Sequence, residues 1–462
     1  MKPTLYSLLI ILTVSALLLA GCAPEPTLIP ELTEEAAEEP QVTEPEAVTA
    51  RFTIRADEAL QGAVTALYTA FFLDELPAFV DADADLVVTD VVDQPFMPSE
   101  IPATFLPGAV MLPQNENAEV SAFIRYALSP DGQVMLIEIG ALPASVTLTD
   151  QAGHTTQIDQ PVRRLISSYG PATAIVYTVG AGETLVSASY LGARDPLGAA
   201  AMERIDPRFS DLIGDDFFSQ EDFNVERAAS LDPDLILTSA RTAWLDTAAE
   251  LGIPTILYEA ETPELLIEAV LLTGELFGPN SAARAQAWAA YYDWVQTTIQ
   301  DATADLPDEE RPRVLFTGTQ PARVASGDMY QTSIIEIAGG ISVSAELAGY
   351  WNDVNLEQIA VWDPDLIIVP PYGGATVAAI TDSPEWQILG AVQEGQVYQM
   401  PKLVVPWDTP APDSVLAIVW LSQLLFPDQV ELDCAEQAAY FYSIFYDYAL
   451  SVEELDIICL SD

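Results

Sequence analysis

The sequence predicts an α/β fold: two α/β lobes joined by one long helix, preceded by a small α/β domain. Three observations predict it. The first is an internal repeat: FNVERAASLDPDLILT at 223–238 and VNLEQIAVWDPDLIIV at 354–369 align without a gap and share eight of sixteen residues. The second is a set of strands apolar along their whole length, such as LILT and LIIV, alternating with helical patterns, as parallel sheets covered on both faces require. The third is the segment 279–306, PNSAARAQAWAAYYDWVQTTIQDATADL, which has no Gly or Pro after its Pro-Asn-Ser start. It repeats Ala285, Trp288, Ala289, Tyr292, Val295 and Ile299 at helical spacing. A helix of about 25 residues is roughly 37 Å long, enough to join two lobes.

Taken in order, residues 1–22 run from Lys2 through an apolar stretch to small residues before Cys22, the anatomy of a signal peptide. That stretch is short of the roughly 20 residues of a membrane span. Residues 23–50 are rich in Pro and Glu and hold no Lys or Arg. Self-repulsion and proline stiffness make them an extended linker. The small domain covers 51–143, with a strand pattern, DADLVVTD, at 83–90 that has no evident partner. The first lobe covers 144–278, with strands expected at 163–168, 184–189, 235–238 and 254–259 and helices at 171–179, 243–251 and 262–277. The second covers 307–462, with a strand at 313–318 and a helix at 332–339. In each repeat copy Asn caps a short helix opened by Val or Leu and Glu, Asp-Pro stops it, and Asp-Leu-Ile enters a strand.

The chain carries 16 Lys and Arg against 70 Asp and Glu, a net charge of −54. Nucleic-acid binding is excluded, because neutralising phosphates takes clustered cations. A hydrophobic content of 50% excludes disorder of the acidic, apolar-poor kind. One His and no Cys cluster, glycine-rich phosphate loop or Ser-His pair leave neither a metal site nor catalytic residues to assign. No intrinsic cofactor and no enzyme activity are expected. Beyond Cys22 only Cys434 and Cys459 remain. They are either a disulfide closing a C-terminal helical hairpin or two buried thiols, and an oxidising exterior favours the disulfide.

Leu19-Ala20-Gly21-Cys22 resembles the bacterial lipobox, which implies a lipid on Cys22 and a protein held on the outer face of the cell membrane. From 144 onward the chain resembles the iron-siderophore and cobalamin class of ABC-transporter substrate-binding proteins. The resemblance rests on VTLTDQAGHTTQIDQPVRRLISSYGPATAIVYTVGAGETLVSAS at its start and on both repeat copies. SPEWQILGAVQEGQVYQMP at 383–401, PWDTPAPDSVLAIVWLSQLLFP at 406–427 and FYSIFYDYALSVEEL at 441–455 extend it. It implies a cleft between the lobes, a monomer, a small-molecule ligand and an ABC permease as partner. By motif position it makes Glu226 and Glu357 the residues that dock onto that permease. Residues 105–143 resemble the closing segment of molybdate-type receptors. Those normally run to twice the length available here, so the first domain is expected to be truncated.

Ligands of α/β lobes meet the loops at the carboxyl ends of strands. Those loops hold Ser168, Tyr169, Gly170, Arg194, Ser239 and Arg241 in the first lobe, and Gln320, Arg323, Pro371, Tyr372, Gly373, Lys402, Trp407 and Asp408 in the second. In so acidic a chain, gathering Arg194, Arg241, Arg323 and Lys402 there points to an anionic ligand, with aromatic rings as flat walls. The ligand-binding candidates are Tyr169, Arg194, Arg241, Arg323, Tyr372 and Trp407. The ligand expected first is a metal chelate: a ferric siderophore, haem or a corrinoid. The nearest alternative is an oxyanion, molybdate or tungstate. Readings of another class are a non-transport surface scaffold and a chelatase-like enzyme.

Overall fold

A computed structural model describes residues 51–73, 75–90, 100–189, 195–213 and 223–459. The expected signal peptide with Cys22, the linker 23–50 and Arg194 lie outside the described residues. In the first domain, strands β1 (Thr53–Ala56), β2 (Ala78–Phe79), β3 (Leu86–Asp90), β4 (Ala103–Leu106) and β5 (Ala109–Pro113) form one sheet of order β2-β1-β3-β5-β4. The strand that lacked a partner in the sequence is its centre: β3 runs parallel to β1 and antiparallel to β5. Helices Gln61–Phe71, Ala118–Leu128 and Pro130–Glu138 complete the domain. Asn117 caps the second by accepting from the backbone N–H of Glu119. The core is aromatic, with Phe52, Tyr68, Phe72 and Phe123 in mutual ring contact.

A hairpin of β6 (Ser145–Thr149) and β7 (Thr155–Asp159) leads into four parallel strands: β8 (Leu165–Ser167), β9 (Leu185–Ala188), β10 (Leu235–Ser239) and β11 (Thr255–Tyr258). Their order is β11-β10-β8-β9. The second lobe carries β12 (Arg313–Phe316), β13 (Arg323–Val324), β14 (Ile341–Ser342), β15 (Asn352–Asp353), β16 (Leu366–Val369) and β17 (Val397–Gln399). Its parallel sheet has the order β14-β12-β16-β17, with β13 and β15 paired apart as a small antiparallel ribbon. Counting only the main strands of each lobe, both sheets have the order fourth-third-first-second. The repeat in the sequence is thus a repeat of topology, and its two copies enter separate sheets through β10 and β16.

The repeated residues act alike. Asn224 accepts from the N–H of Arg227 at 2.9 Å, and Asn355 from that of Gln358 at 2.8 Å. These caps open helices Val225–Ser230 and Leu356–Trp362. Asp232 and Asp363 end the turn with φ of 46° and 47°, left-handed values that aspartate tolerates better than most residues. The next carboxylate fastens the turn to the neighbouring strand: Asp234 accepts from the N–H of Arg163 and Arg164, and Asp365 from that of Arg313. In return the Arg164 guanidinium donates to the Leu231 and Asp232 carbonyls, and Arg313 to that of Trp362. A cation is favoured there by the negative end of the helix dipole.

The bridging helix spans Pro279–Thr303. It stops short of 306 because Pro307 disfavours helical backbone in the residue before it. Ala285, Trp288, Tyr292, Val295 and Ile299 are fully buried in one apolar core shared by both lobes; Ala289, expected with them, is only half-buried. Trp288 Nε1 donates to Pro412 O, and the Tyr291 hydroxyl donates to Gln437 Oε1. Cys434 and Cys459 form a disulfide, Cα to Cα 5.7 Å, which joins helix Cys434–Phe445 to helix Val452–Cys459.

Candidate functional site

In a sheet of this order the loops after the first and third strands leave in opposite directions and open a crevice at the carboxyl edge. In the first lobe those loops follow β8 and β10. They carry Tyr169 and Arg241. In the second they follow β12 and β16, with Gln320 and Tyr372. The duplicated topology therefore sets two equivalent loop pairs against one cleft.

Tyr169 is the N-cap residue of helix Gly170–Thr178 and is half-buried. Burial, with the Glu261 carboxylate nearby, pushes its hydroxyl above the ordinary tyrosine range, so it stays protonated. Arg241 is held by Glu261 Oε1 at 2.5 Å and stacks on the Tyr350 ring with its guanidinium carbon 4.6 Å from the centroid. Because Arg241 belongs to the first lobe and Tyr350 to the second, this cation–π contact crosses the cleft. A second crossing pairs Lys402 Nζ with Asp195 Oδ1 at 3.3 Å, while the same ammonium donates to Pro371 O. Asp195 simultaneously caps helix Pro196–Ile205 through the N–H of Gly198.

Arg323, half-buried on β13, makes no ion pair among the described residues. Tyr372 points its hydroxyl inward and donates to Asp408 Oδ2 at 2.5 Å. Its loop turns at Gly373, where φ is +86° and an added Cβ would lie 2.8 Å from Thr319 Cα, so a side chain there would push apart the two loops of the second lobe. Trp407 corrects the sequence reading. It is fully buried, and its Nε1 donates to the Tyr442 hydroxyl at 3.4 Å. The Pro-Trp-Asp turn folds its indole into the core, because burying so large an apolar surface outweighs leaving it as a cleft wall.

Glu226 and Glu357 occupy the second position of equivalent helices, and both are exposed. Three cleft residues escaped the sequence reading: Glu261, Tyr350 and Asp195. The signal for Glu261 was its place just past β11, at a carboxyl end like the others. Tyr350 stands immediately before Trp351 and the second repeat copy, yet only the folded chain brings it to Arg241. Among the described residues no group of three His, Cys, Asp or Glu could hold a metal ion.

Asp408 is buried without exposure, and burial pushes its carboxyl up to about 6. An unfolded carboxyl titrates near ~3.9. Between these values the native chain holds a proton that the unfolded chain has released, so stability falls as pH rises through the window. Asp408→Asn keeps an acceptor for Tyr372 and cannot ionise. Relative to the unsubstituted protein it is expected to gain on the order of 2 kcal/mol between pH 4 and pH 7, measured by urea unfolding at both pH values. An unchanged difference would show that Asp408 does not titrate in this range.

Residues 217–403 match the family described as periplasmic binding protein. Among curated proteins, a vitamin B12-binding protein of Yersinia pestis is 29% identical over 246 residues, 51% of this chain and 74% of its own length. The molybdate-binding protein MolA of Haemophilus influenzae is 22% identical over 247 residues, 48% of this chain and 70% of its own. Two solved structures share the fold: a periplasmic solute-binding protein from Veillonella parvula, with TM-score 0.60, 24% identity and coverage of 68% and 97%, and molybdate-bound MolA, with TM-score 0.58, 20% identity and coverage of 66% and 99%. With its two like lobes joined by a single long helix and its match over 217–403, this chain has the fold of these solute-binding proteins and is similar over that stretch to the periplasmic binding protein family.

Proposed function

We propose that this chain is the extracytoplasmic solute-binding component of an ABC importer, and that it captures a metal chelate of the ferric siderophore, haem or corrinoid kind. The observation that carries the reading is the cleft itself. Tyr169, Arg241 and Tyr372 on its paired loops, with Arg323 on β13 and Tyr350 between β14 and β15, support it. Aromatic faces suit a broad flat ligand and guanidinium groups suit its acidic substituents. No bond is made or broken; the lobes close over the ligand, and the Arg241–Tyr350 and Lys402–Asp195 contacts are exchanged for contacts with it. Arg194 belongs to the same proposed set. Lipid attachment at Cys22 and an extended 23–50 tether would hold the protein, a monomer in this reading, on the cell membrane facing outside the cytoplasm.

Molybdate or tungstate is the second reading, favoured by the similarity to MolA. Binding to the folded state alone raises stability by about 2.7 kcal/mol at a hundredfold excess over Kd. Thermal unfolding with cyanocobalamin, haemin, ferric catecholates, molybdate and tungstate is therefore the test. Stabilisation by a chelate is expected, and Arg241→Ala with Arg323→Ala should weaken that binding at least tenfold. Stabilisation by the oxyanions alone would favour the second reading. Stabilisation by none would favour a surface scaffold and overturn the receptor reading.

A further inference from the structure

A cavity of about 1020 Å³ lies outside the cleft, between the first domain and the outward face of the bridging helix. Ile101, Val110 and Ile137 of the first domain form one side, Val146 of β6 another, and Ala283 and Ala287 of the helix a third. The volume sits at the upper end of the roughly 300–1,000 Å³ of small-molecule sites. Its walls are tied to one another. The N–H of Thr104 donates to Asn280 Oδ1, Gln133 Nε2 donates to Phe277 O at 3.1 Å, and Arg163 pairs with Asp131 at 2.8 Å. The first domain is thereby fastened to the start of the bridging helix and to the first lobe.

The helix faces two ways. Trp288 and Tyr292 point into the lobes, whereas Ala283 and Ala287 line the cavity and are only half-buried. Small side chains at those two positions leave the space that larger ones would fill. No Lys or Arg lines the cavity among the described residues, and its one charged group is the exposed carboxylate of Glu275. Exposed Gln286 supplies an uncharged donor and acceptor. An anion would meet Glu275 and the field of a chain of net charge −54 without a compensating cation. For the same reason the acidic 23–50 segment of this chain is a poor occupant.

We infer that this cavity is a second binding site, for an uncharged and mainly apolar small molecule, separate from the cleft. It gives the first domain a role: that domain supplies one wall, and the bridging helix another.

Titration of the full chain with Nile red, an uncharged solvatochromic dye, tests it. One saturable site with blue-shifted emission is expected, weakened at least tenfold by Ala283→Trp and by Ala287→Trp, which place an indole in the cavity. The anionic dye 1-anilinonaphthalene-8-sulfonate should bind at least tenfold more weakly than Nile red and gain affinity in Glu275→Gln. Circular dichroism establishes that the tryptophan variants fold, and Gln286→Trp at an exposed position replaces either that does not. Absence of saturable binding, or unchanged binding in folded variants, would overturn the inference. So would a dimer in light scattering that the same substitutions dissociate, because a second copy would then cover the cavity.

Discussion

Arg284→Ala is expected to lower the unfolding free energy by about 3–5 kcal/mol, measured by urea denaturation. Arg284 lies on the bridging helix and is buried. Its guanidinium donates to Thr178 O at 3.2 Å, to Ile444 O at 3.1 Å and to Phe445 O at 2.9 Å. One side chain therefore ties the ends of helices Gly170–Thr178 and Cys434–Phe445 to the bridging helix. The approach is possible because residue 180 is glycine, with φ +74°; a Cβ there would come within 2.9 Å of the Arg284 side chain. Burial lowers the guanidinium pKa from its ordinary value, with Asp447 at 3.8 Å only partly offsetting it. Truncation strands three carbonyl acceptors and leaves a cavity. Arg284→Met restores the volume without the donors and is expected to lose less than Arg284→Ala, since it leaves no cavity beside the stranded carbonyls. Equal losses in the two variants would mean that the hydrogen bonds alone, and not packing, explain the position.

Reversing both outer carboxylates, Glu226→Arg with Glu357→Arg, is expected to abolish uptake of the ligand in cells while leaving its Kd unchanged. Each Glu sits in the first turn of its helix, where the dipole contributes roughly 0.3–1 kcal/mol to a carboxylate. Two like carboxylates at matching points of two like lobes suit a partner that engages both lobes with cations, and losing both charges removes both footholds. Uptake assays beside calorimetric titration separate the two effects. A changed Kd with retained uptake would place these residues in ligand recognition instead.

Much of the fold was legible because its signals are local. Asn224 and Asn355 cap helices by bonds that reach only three residues along the chain, and Asp-Pro ends those helices by sterics within the turn. Apolar strands such as LILT have one low-energy home, the interior of a parallel sheet. The bridging helix was legible for a related reason: its buried residues repeat at 3.6-residue spacing whatever they touch. The cleft was legible to the extent that strand ends could be located, which found Tyr169, Arg241 and Tyr372.

The partners of those residues were not legible. Arg241 was one cation among plentiful carboxylates, and nothing local distinguished Glu261 from its neighbours or linked position 241 to 350. Trp407 and Tyr372 had the same standing in the sequence, as aromatic residues in loops near glycine or proline. The fold buried one completely and left the other half-exposed over Asp408. Capping, strand burial and helical period are short-range effects, and the order of residues along the chain carries them. Contacts across a cleft and the depth at which a loop side chain comes to rest depend on how whole lobes dock. Docking is settled by the summed burial of surfaces distant in sequence, and only the assembled molecule expresses it.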